Sequence, residues 1–208
     1  MIKVVLFDVD GVLLESFEAN RQFFNKLFEK AGYKQPTLQE YLPLMHFTME
    51  KLIKGFTKAS DEEVQRILKM GRESWDELYP YELLKNPLFM DKILQRLTKM
   101  YKLGIVTSRI KEHIYIIPLL ANLKKYFQVT VGFEDTTKHK PYPDPLLFAA
   151  QKLQIRPEDV AYIGDAQSDL FAAEAAGMKF ILFGETNFLQ TDYHTDSFRN
   201  LSEVIANL

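Results

Sequence analysis

The chain has no cysteine among its 208 residues, which excludes disulfides, thiolate zinc sites and a cysteine nucleophile. It also lacks a surplus of basic charge: 26 Lys and Arg face 28 Asp and Glu, a net charge of −2. Neither a nucleic acid nor an anionic membrane surface is therefore its default partner. The apolar N-terminus is broken by Asp8 and Asp10 and is too short for a signal segment or a membrane span, so the cytoplasm is the expected compartment. Internal repeats, low-complexity tracts and long flexible linkers are missing too. What remains is 47% hydrophobic, enough to bury a sizeable core in one or two compact domains.

The most informative stretch is Val4-Val5-Leu6-Phe7-Asp8-Val9-Asp10-Gly11-Val12, where two carboxylates one residue apart follow a continuous apolar run. Such a run reads as a strand buried on both faces, hence as part of a parallel sheet covered by helices. Ligands of these sheets gather outside the carboxyl ends of the strands, where Asp8 and Asp10 fall. Like charges this close are tolerated mainly when a cation or a shared proton compensates them, and a divalent metal is the simplest compensation. Taken alone, Asp10-Gly11 is equally a common turn pair.

Three downstream segments each end an apolar run with polar groups. Leu103-Gly104-Ile105-Val106-Thr107-Ser108-Arg109 reads as a strand that delivers two hydroxyls and enters a helix, a combination suited to an anion. His139-Lys140-Pro141-Tyr142-Pro143-Asp144-Pro145 holds a lysine in a loop stiffened by prolines, so its ammonium is placed to pair with a phosphate. Val160-Ala161-Tyr162-Ile163-Gly164-Asp165-Ala166-Gln167-Ser168-Asp169 is another apolar strand ending on acids, with Gly164 permitting close backbone approach. Each also has a plainer reading: Thr107 or Ser108 as a helix cap, Lys140 as a solvated loop charge, Asp165 and Asp169 as helix-start acids. None of these explains all four segments together.

In this order the four motifs resemble those of the haloacid dehalogenase superfamily, in its phosphatase branch, close to the phosphoglycolate phosphatase-like and β-phosphoglucomutase-like groups. They are Asp8-Val9-Asp10-Gly11, Thr107 or Ser108, Lys140-Pro141, and Gly164-Asp165 with Asp169. Ala176-Gly177-Met178, the apolar run after it and Gly184 extend the likeness to nearly the whole chain. The resemblance implies an α/β fold, a Rossmann-like parallel sheet core at 1–14 and 85–208, with an all-helical cap inserted at 15–84. It also implies Mg²⁺ as cofactor, held by Asp8, Asp165 and the main-chain carbonyl of Asp10.

The residues carry the matching chemistry. Asp8, with an ordinary carboxylate pKa of about 3.9, is ionised at neutral pH and attacks phosphorus without a general base. Asp10 is close enough to protonate the departing alcohol and later to take a proton from the attacking water, if its surroundings raise its pKa. A hard, oxygen-liganded Mg²⁺ neutralises the encounter of two anions. Thr107 or Ser108, with Lys140, holds the non-bridging oxygens. Asp169 orients Lys140 or a metal-bound water. The expected activity is hydrolysis of a small soluble phosphomonoester through an aspartyl-phosphate. A hexose-phosphate mutase, an inorganic pyrophosphatase and a non-catalytic phospho-ligand binder are the alternatives. Dehalogenases lack a second acid at the position of Asp10, and the mutases commonly carry Glu where this chain has Gly164.

Between roughly Glu15 and Leu84 the pattern is helical. Phe17, Phe23, Phe24, Leu27 and Phe28 form one apolar stripe, and Val64, Ile67, Leu68 and Trp75 suggest another. Asn86-Pro87 marks re-entry, and Met90 to Met100 reads as a helix. Substrate choice is expected in the inserted segment, in Tyr41-Leu42-Pro43-Leu44-Met45-His46-Phe47-Thr48, with His46 as a candidate substrate contact.

Overall fold

The apolar run Val4–Phe7 forms the strand β1, and all four side chains are fully buried, because helices cover both faces of the sheet that it enters. This computed structural model describes residues 1–45, 47–184 and 191–208; His46 lies outside them. From β1 the chain runs through α1 (Phe17–Lys30), α2 (Met49–Thr57), α3 (Asp61–Glu73), α4 (Met90–Leu97), β2 (Lys102–Val106) and β3 (Phe127–Val131). It continues through α5 (Asp144–Leu153), β4 (Val160–Gly164), α6 (Gln167–Ala176), β5 (Lys179–Phe183), β6 (His194–Thr195) and α7 (Phe198–Ala206), with one-turn helices between several of these. The sheet is parallel throughout, in the order β3-β2-β1-β4-β5-β6.

The chain divides into two compact units, Met1–Glu15 with Lys85–Leu208, and Ser16–Leu84. In the first, alternate strand residues serve opposite faces. Val4, Leu6, Val160 and Tyr162 pack with Leu146, Ala149 and Ala150 of α5 and with Ala172 and Ala173 of α6. On the other face the Phe7 and Phe198 rings stack at 6.3 Å, which ties β1 to α7. In register, Phe7 stands beside Ile105 of β2 and Ile163 of β4. The exits of β1, β2 and β4 therefore lie side by side. Connections leave β1 toward β2 on one side and β4 toward β5 on the other, so the switch point of this doubly wound α/β sheet falls between β1 and β4.

The second unit is helical. Phe23, Phe24, Leu27 and Phe28 of α1 are buried, as are Val64, Ile67 and Leu68 of α3, whereas Phe17 is exposed. Phe17 opens the helix and packs the edge of its ring against the buried Tyr41, with centroids 5.9 Å apart, while the rest of the ring stays exposed at the end of the stripe. Trp75 lies in a separate turn, Trp75–Leu78, with its ring centroid 4.5 Å from that of Phe23. The helix expected to run from Met90 to Met100 ends at Leu97. No helix among the described residues is long and apolar enough to cross a membrane.

Candidate active site

At the exit of β1 the backbone turns sharply. The Asp8 N–H donates to Ile163 O at 2.8 Å, which keeps Asp8 in line with β4, and the Gly11 and Leu14 N–H groups close a tight turn on Leu14 O and Val9 O, both at 2.9 Å. Gly11 has a φ of +73°, and a Cβ there would collide with the Asp165 carboxyl. A glycine is thus required twice over, for the left-handed backbone and for the approach of Asp165 to the Asp8 turn.

Lys140 is the hub beneath these acids. Its ammonium has three donors and three acceptors in reach: Asp169 Oδ1 at 2.6 Å, Tyr162 Oη at 2.9 Å and Asp8 Oδ2 at 3.0 Å. Tyr162, fully buried in β4, lies 3.1 Å from both Val106 O and Asp169 Oδ1. Since Asp169 Oδ1 already accepts a hydrogen bond from the Lys140 ammonium, the tyrosine hydroxyl is well used in donating to the Val106 carbonyl at the end of β2. Asp169 Oδ2 accepts the Ala166 N–H at 3.1 Å, which caps α6. This geometry needs Gly164, because a Cβ there would run into the Asp169 carboxyl.

Burial is the main force on the titrating groups. It pushes the Asp8 carboxyl up to about 7, against the pull of Lys140 and with help from Asp169 and Asp10. Burial likewise raises Asp165 well above the usual carboxylate range, with Asp169 and Asp8 adding to it. For Lys140, burial alone would lower the ammonium, but the Asp169 and Asp8 charges outweigh it and the net direction is up. Asp8 therefore does not keep the ordinary carboxylate value assumed from sequence; it is buried in a place where like charges surround it.

One oxygen each of Asp8, Asp165 and Asp169 lie within 4.8 Å of one another. Both oxygens of Asp169 are already committed, one to Lys140 and the other to the Ala166 amide, so Asp169 is a poor ligand. Asp8 Oδ1, by contrast, is buried with no hydrogen-bond partner among the described residues. An orphaned buried carboxylate oxygen facing a second raised carboxylate is the signature of a place for a cation. The donors are all hard oxygens, which suit Mg²⁺ or Ca²⁺ rather than a softer metal.

At the exit of β2, Thr107 is buried and Ser108 is exposed. The Thr107 N–H donates to Val131 O at 3.0 Å, and its Oγ1 accepts the Arg109 N–H at 3.2 Å. No helix begins at this point: the next one is the single turn Glu112–Tyr115. The positive helix end expected beside the two hydroxyls is absent there, because Arg109 is drawn inward instead of starting a helix. Its guanidinium forms a fork on Asp10, with Nε 2.7 Å from Oδ2 and Nη2 2.6 Å from Oδ1.

The structure thus brings together Asp8, Asp10, Thr107, Lys140, Asp165 and Asp169 around the exits of β1, β2 and β4, with Ser108 on the exposed side of the β2 exit. Two participants were not singled out from sequence. Tyr162 gave no signal beyond a polar tip inside an apolar strand. Arg109 did: it is a charge directly behind two hydroxyls at a strand exit.

The family model of the haloacid dehalogenase-like hydrolases matches residues 5–183, which spans every residue of this constellation. The chain belongs to that family of hydrolases. Among curated proteins it is similar to pyrophosphatase PpaX of Bacillus pumilus, 30% identical over 86% of this chain and 81% of the relative. Among solved structures, a haloacid dehalogenase-like family hydrolase from Streptococcus pneumoniae superposes with a TM-score of 0.83 at 20% identity, over 98% of each chain. CbbY from Rhodobacter sphaeroides, solved with phosphate, does so with a TM-score of 0.77 at 22% identity, over 97% of this chain and 96% of the other. At these identities the structural likeness shows the fold alone.

Proposed function

We propose that the protein is a Mg²⁺-dependent phosphatase that transfers a phosphoryl group from a small soluble substrate to Asp8 and then to water. The observation that carries this is Asp8 itself: one oxygen rests on Lys140 at 3.0 Å while the other is buried without a partner among the described residues, beside Asp165. In this reading Asp8 and Asp165 hold the metal by their side chains, with Asp10 contributing its main-chain carbonyl. A bound Mg²⁺ supplies charge neutralisation between the carboxylate and the phosphoryl dianion.

Asp8 attacks phosphorus, and the bond from phosphorus to the leaving oxygen breaks as Asp10 gives that oxygen a proton. In the second half Asp10 takes a proton from water, which attacks the aspartyl-phosphate and releases phosphate and the Asp8 carboxylate. Lys140 and the Thr107 hydroxyl bind the non-bridging oxygens, with Ser108 beside them. Asp169 and Tyr162 hold Lys140 in place.

Inorganic pyrophosphate is a second reading of the substrate, favoured by the name of the Bacillus pumilus relative. The mutase reading is disfavoured by Gly164, since any side chain there meets the Asp169 carboxyl. The experiment that tests the proposal is Mg²⁺-dependent phosphate release from p-nitrophenyl phosphate, a panel of sugar, glycolate and nucleotide phosphates, and pyrophosphate. Asp8→Asn and EDTA serve as controls. Release that both controls abolish supports the mechanism and ranks the substrates. Release that survives Asp8→Asn, or none from a folded, Mg²⁺-loaded protein, refutes it.

A further inference from the structure

We infer that Arg109 is a positioning residue for Asp10, one that fixes the plane of the acid–base carboxylate at the leaving-group side of the site. The inference rests on the phosphatase reading above and concerns a side chain that none of the family motifs in this sequence includes.

Asp10 stands on the turn after β1, and its side chain is 31% exposed, against 10% for Asp8. A carboxylate so placed has rotameric freedom that proton transfer does not tolerate. An acid must sit within hydrogen-bond reach of the leaving oxygen, and a displacement of about 1 Å costs on the order of 10²-fold in rate. Arg109 removes that freedom. Its two contacts, 2.7 and 2.6 Å, engage both carboxylate oxygens at once, so they set the plane of the group as well as its place. Each carboxylate oxygen offers about two lone pairs. The fork takes one from each.

The fork is itself held. The Arg109 side chain is 7% exposed. Its backbone is pinned on both sides, the N–H on Thr107 Oγ1 at 3.2 Å and the carbonyl by the Phe133 N–H at 2.8 Å. Just beyond it, Gly132 lies against the Lys111 backbone with no room for a Cβ. The guanidinium is thus anchored by the exits of β2 and β3, while the carboxylate it grips belongs to the exit of β1. An exposed ion pair would have neither feature. Lysine cannot reproduce the grip, since a point charge on a flexible stem has no planar fork.

The test uses Arg109→Met and Arg109→Lys with a series of aryl phosphates of decreasing leaving-group acidity, ending in an alkyl phosphate. A good leaving group such as p-nitrophenolate departs without a proton and a poor one needs it, so a misplaced acid shows as a loss that grows along the series. For both variants we expect kcat/KM within about threefold of wild type on p-nitrophenyl phosphate and lower by roughly 10²-fold on the alkyl phosphate. In an Asp10→Asn background, Arg109→Met is expected to add less than about threefold, since the two act as one unit. A loss uniform along the series, or one that multiplies with that of Asp10→Asn, overturns the inference. Where Arg109→Met does not fold, Arg109→Lys carries the comparison. Wild-type protein that releases no phosphate would refute the proposed function instead. The crystal structure of Arg109→Lys then decides this point: an Asp10 carboxylate unmoved overturns it, and one displaced from its present plane supports it.

Discussion

Lys140 is the side chain whose loss does most damage, because it serves two acids at once. It is buried, its ammonium lies 2.6 Å from Asp169 and 3.0 Å from Asp8, and the Asp169 side chain has no exposure at all. Lys140→Met leaves Asp169 as a buried charge with its main partner gone, an arrangement that costs about 3–5 kcal/mol. At about 2–4 °C per kcal/mol for a chain of this size, thermal melting of the metal-free protein should fall by roughly 10 °C. An unchanged melting temperature would show that Asp169 finds its counter-charge elsewhere. Tyr162→Phe is the milder test of the same hub. It removes one hydroxyl and strands the Val106 carbonyl, for a cost of about 1–3 kcal/mol, while Lys140 keeps both carboxylates. Chemical denaturation of the two variants side by side should therefore rank Lys140→Met well below Tyr162→Phe. The reverse order would mean that the hydroxyl, not the charge pair, holds the hub.

At the scale of elements, the site exists because strand exits and helix starts are allowed unusually close to each other. Gly164 ends β4, and the first turn of α6 folds back so far that Asp169 fills the space a Cβ would need. Gly164→Ala must push that turn outward and draw Asp169 away from Lys140. Overpacking of this kind costs about 1–3 kcal/mol, and the displaced Lys140 should lower phosphatase turnover by roughly 10²-fold. A variant with wild-type turnover would show that α6 can shift without carrying Lys140 along. Such elements differ in how plainly the sequence declares them. The strands of the sheet centre are legible because burial on both faces demands unbroken apolar runs such as Val4–Phe7 and Val160–Ile163. The short segments after β2 are not. Thr107, Ser108 and Arg109 look like the start of a helix, and only a contact with Asp10, 99 residues away, draws the arginine inward. The same limit explains Tyr162, whose hydroxyl matters only once Lys140, Val106 and Asp169 converge on it, and the exposed Phe17, which ends its stripe with only the Tyr41 ring beside it.

For the molecule as a whole, the site residues all belong to the unit of Met1–Glu15 and Lys85–Leu208, and the charges gathered there do not balance. Among the described residues, four carboxylates, Asp8, Asp10, Asp165 and Asp169, face two cations, Lys140 and Arg109. The imbalance makes stability depend on pH in a stated direction. Burial raises Asp8 from 3.8 to about 7 on folding, so between these values the folded chain holds a proton that the unfolded chain has lost. The stability tied to that proton is complete below pH 3.8 and is lost as pH rises through about 7; Asp165, also raised, acts in the same direction. Metal-free protein should therefore be less stable at pH 8 than at pH 5.5 so far as these two groups decide it. A divalent cation must displace the same protons to bind, so its affinity runs the opposite way and rises with pH. With Mg²⁺ at about 100 times its dissociation constant at pH 8, the gain is about 2.7 kcal/mol, roughly 5–10 °C in melting temperature. The same concentration at pH 5.5 should give a clearly smaller shift, and Asp8→Asn should abolish most of the difference between the two pH values. Equal shifts at both, or a pH dependence that survives Asp8→Asn, would mean that the cation is held by carboxylates other than Asp8 and that the orphaned Oδ1 is not its ligand.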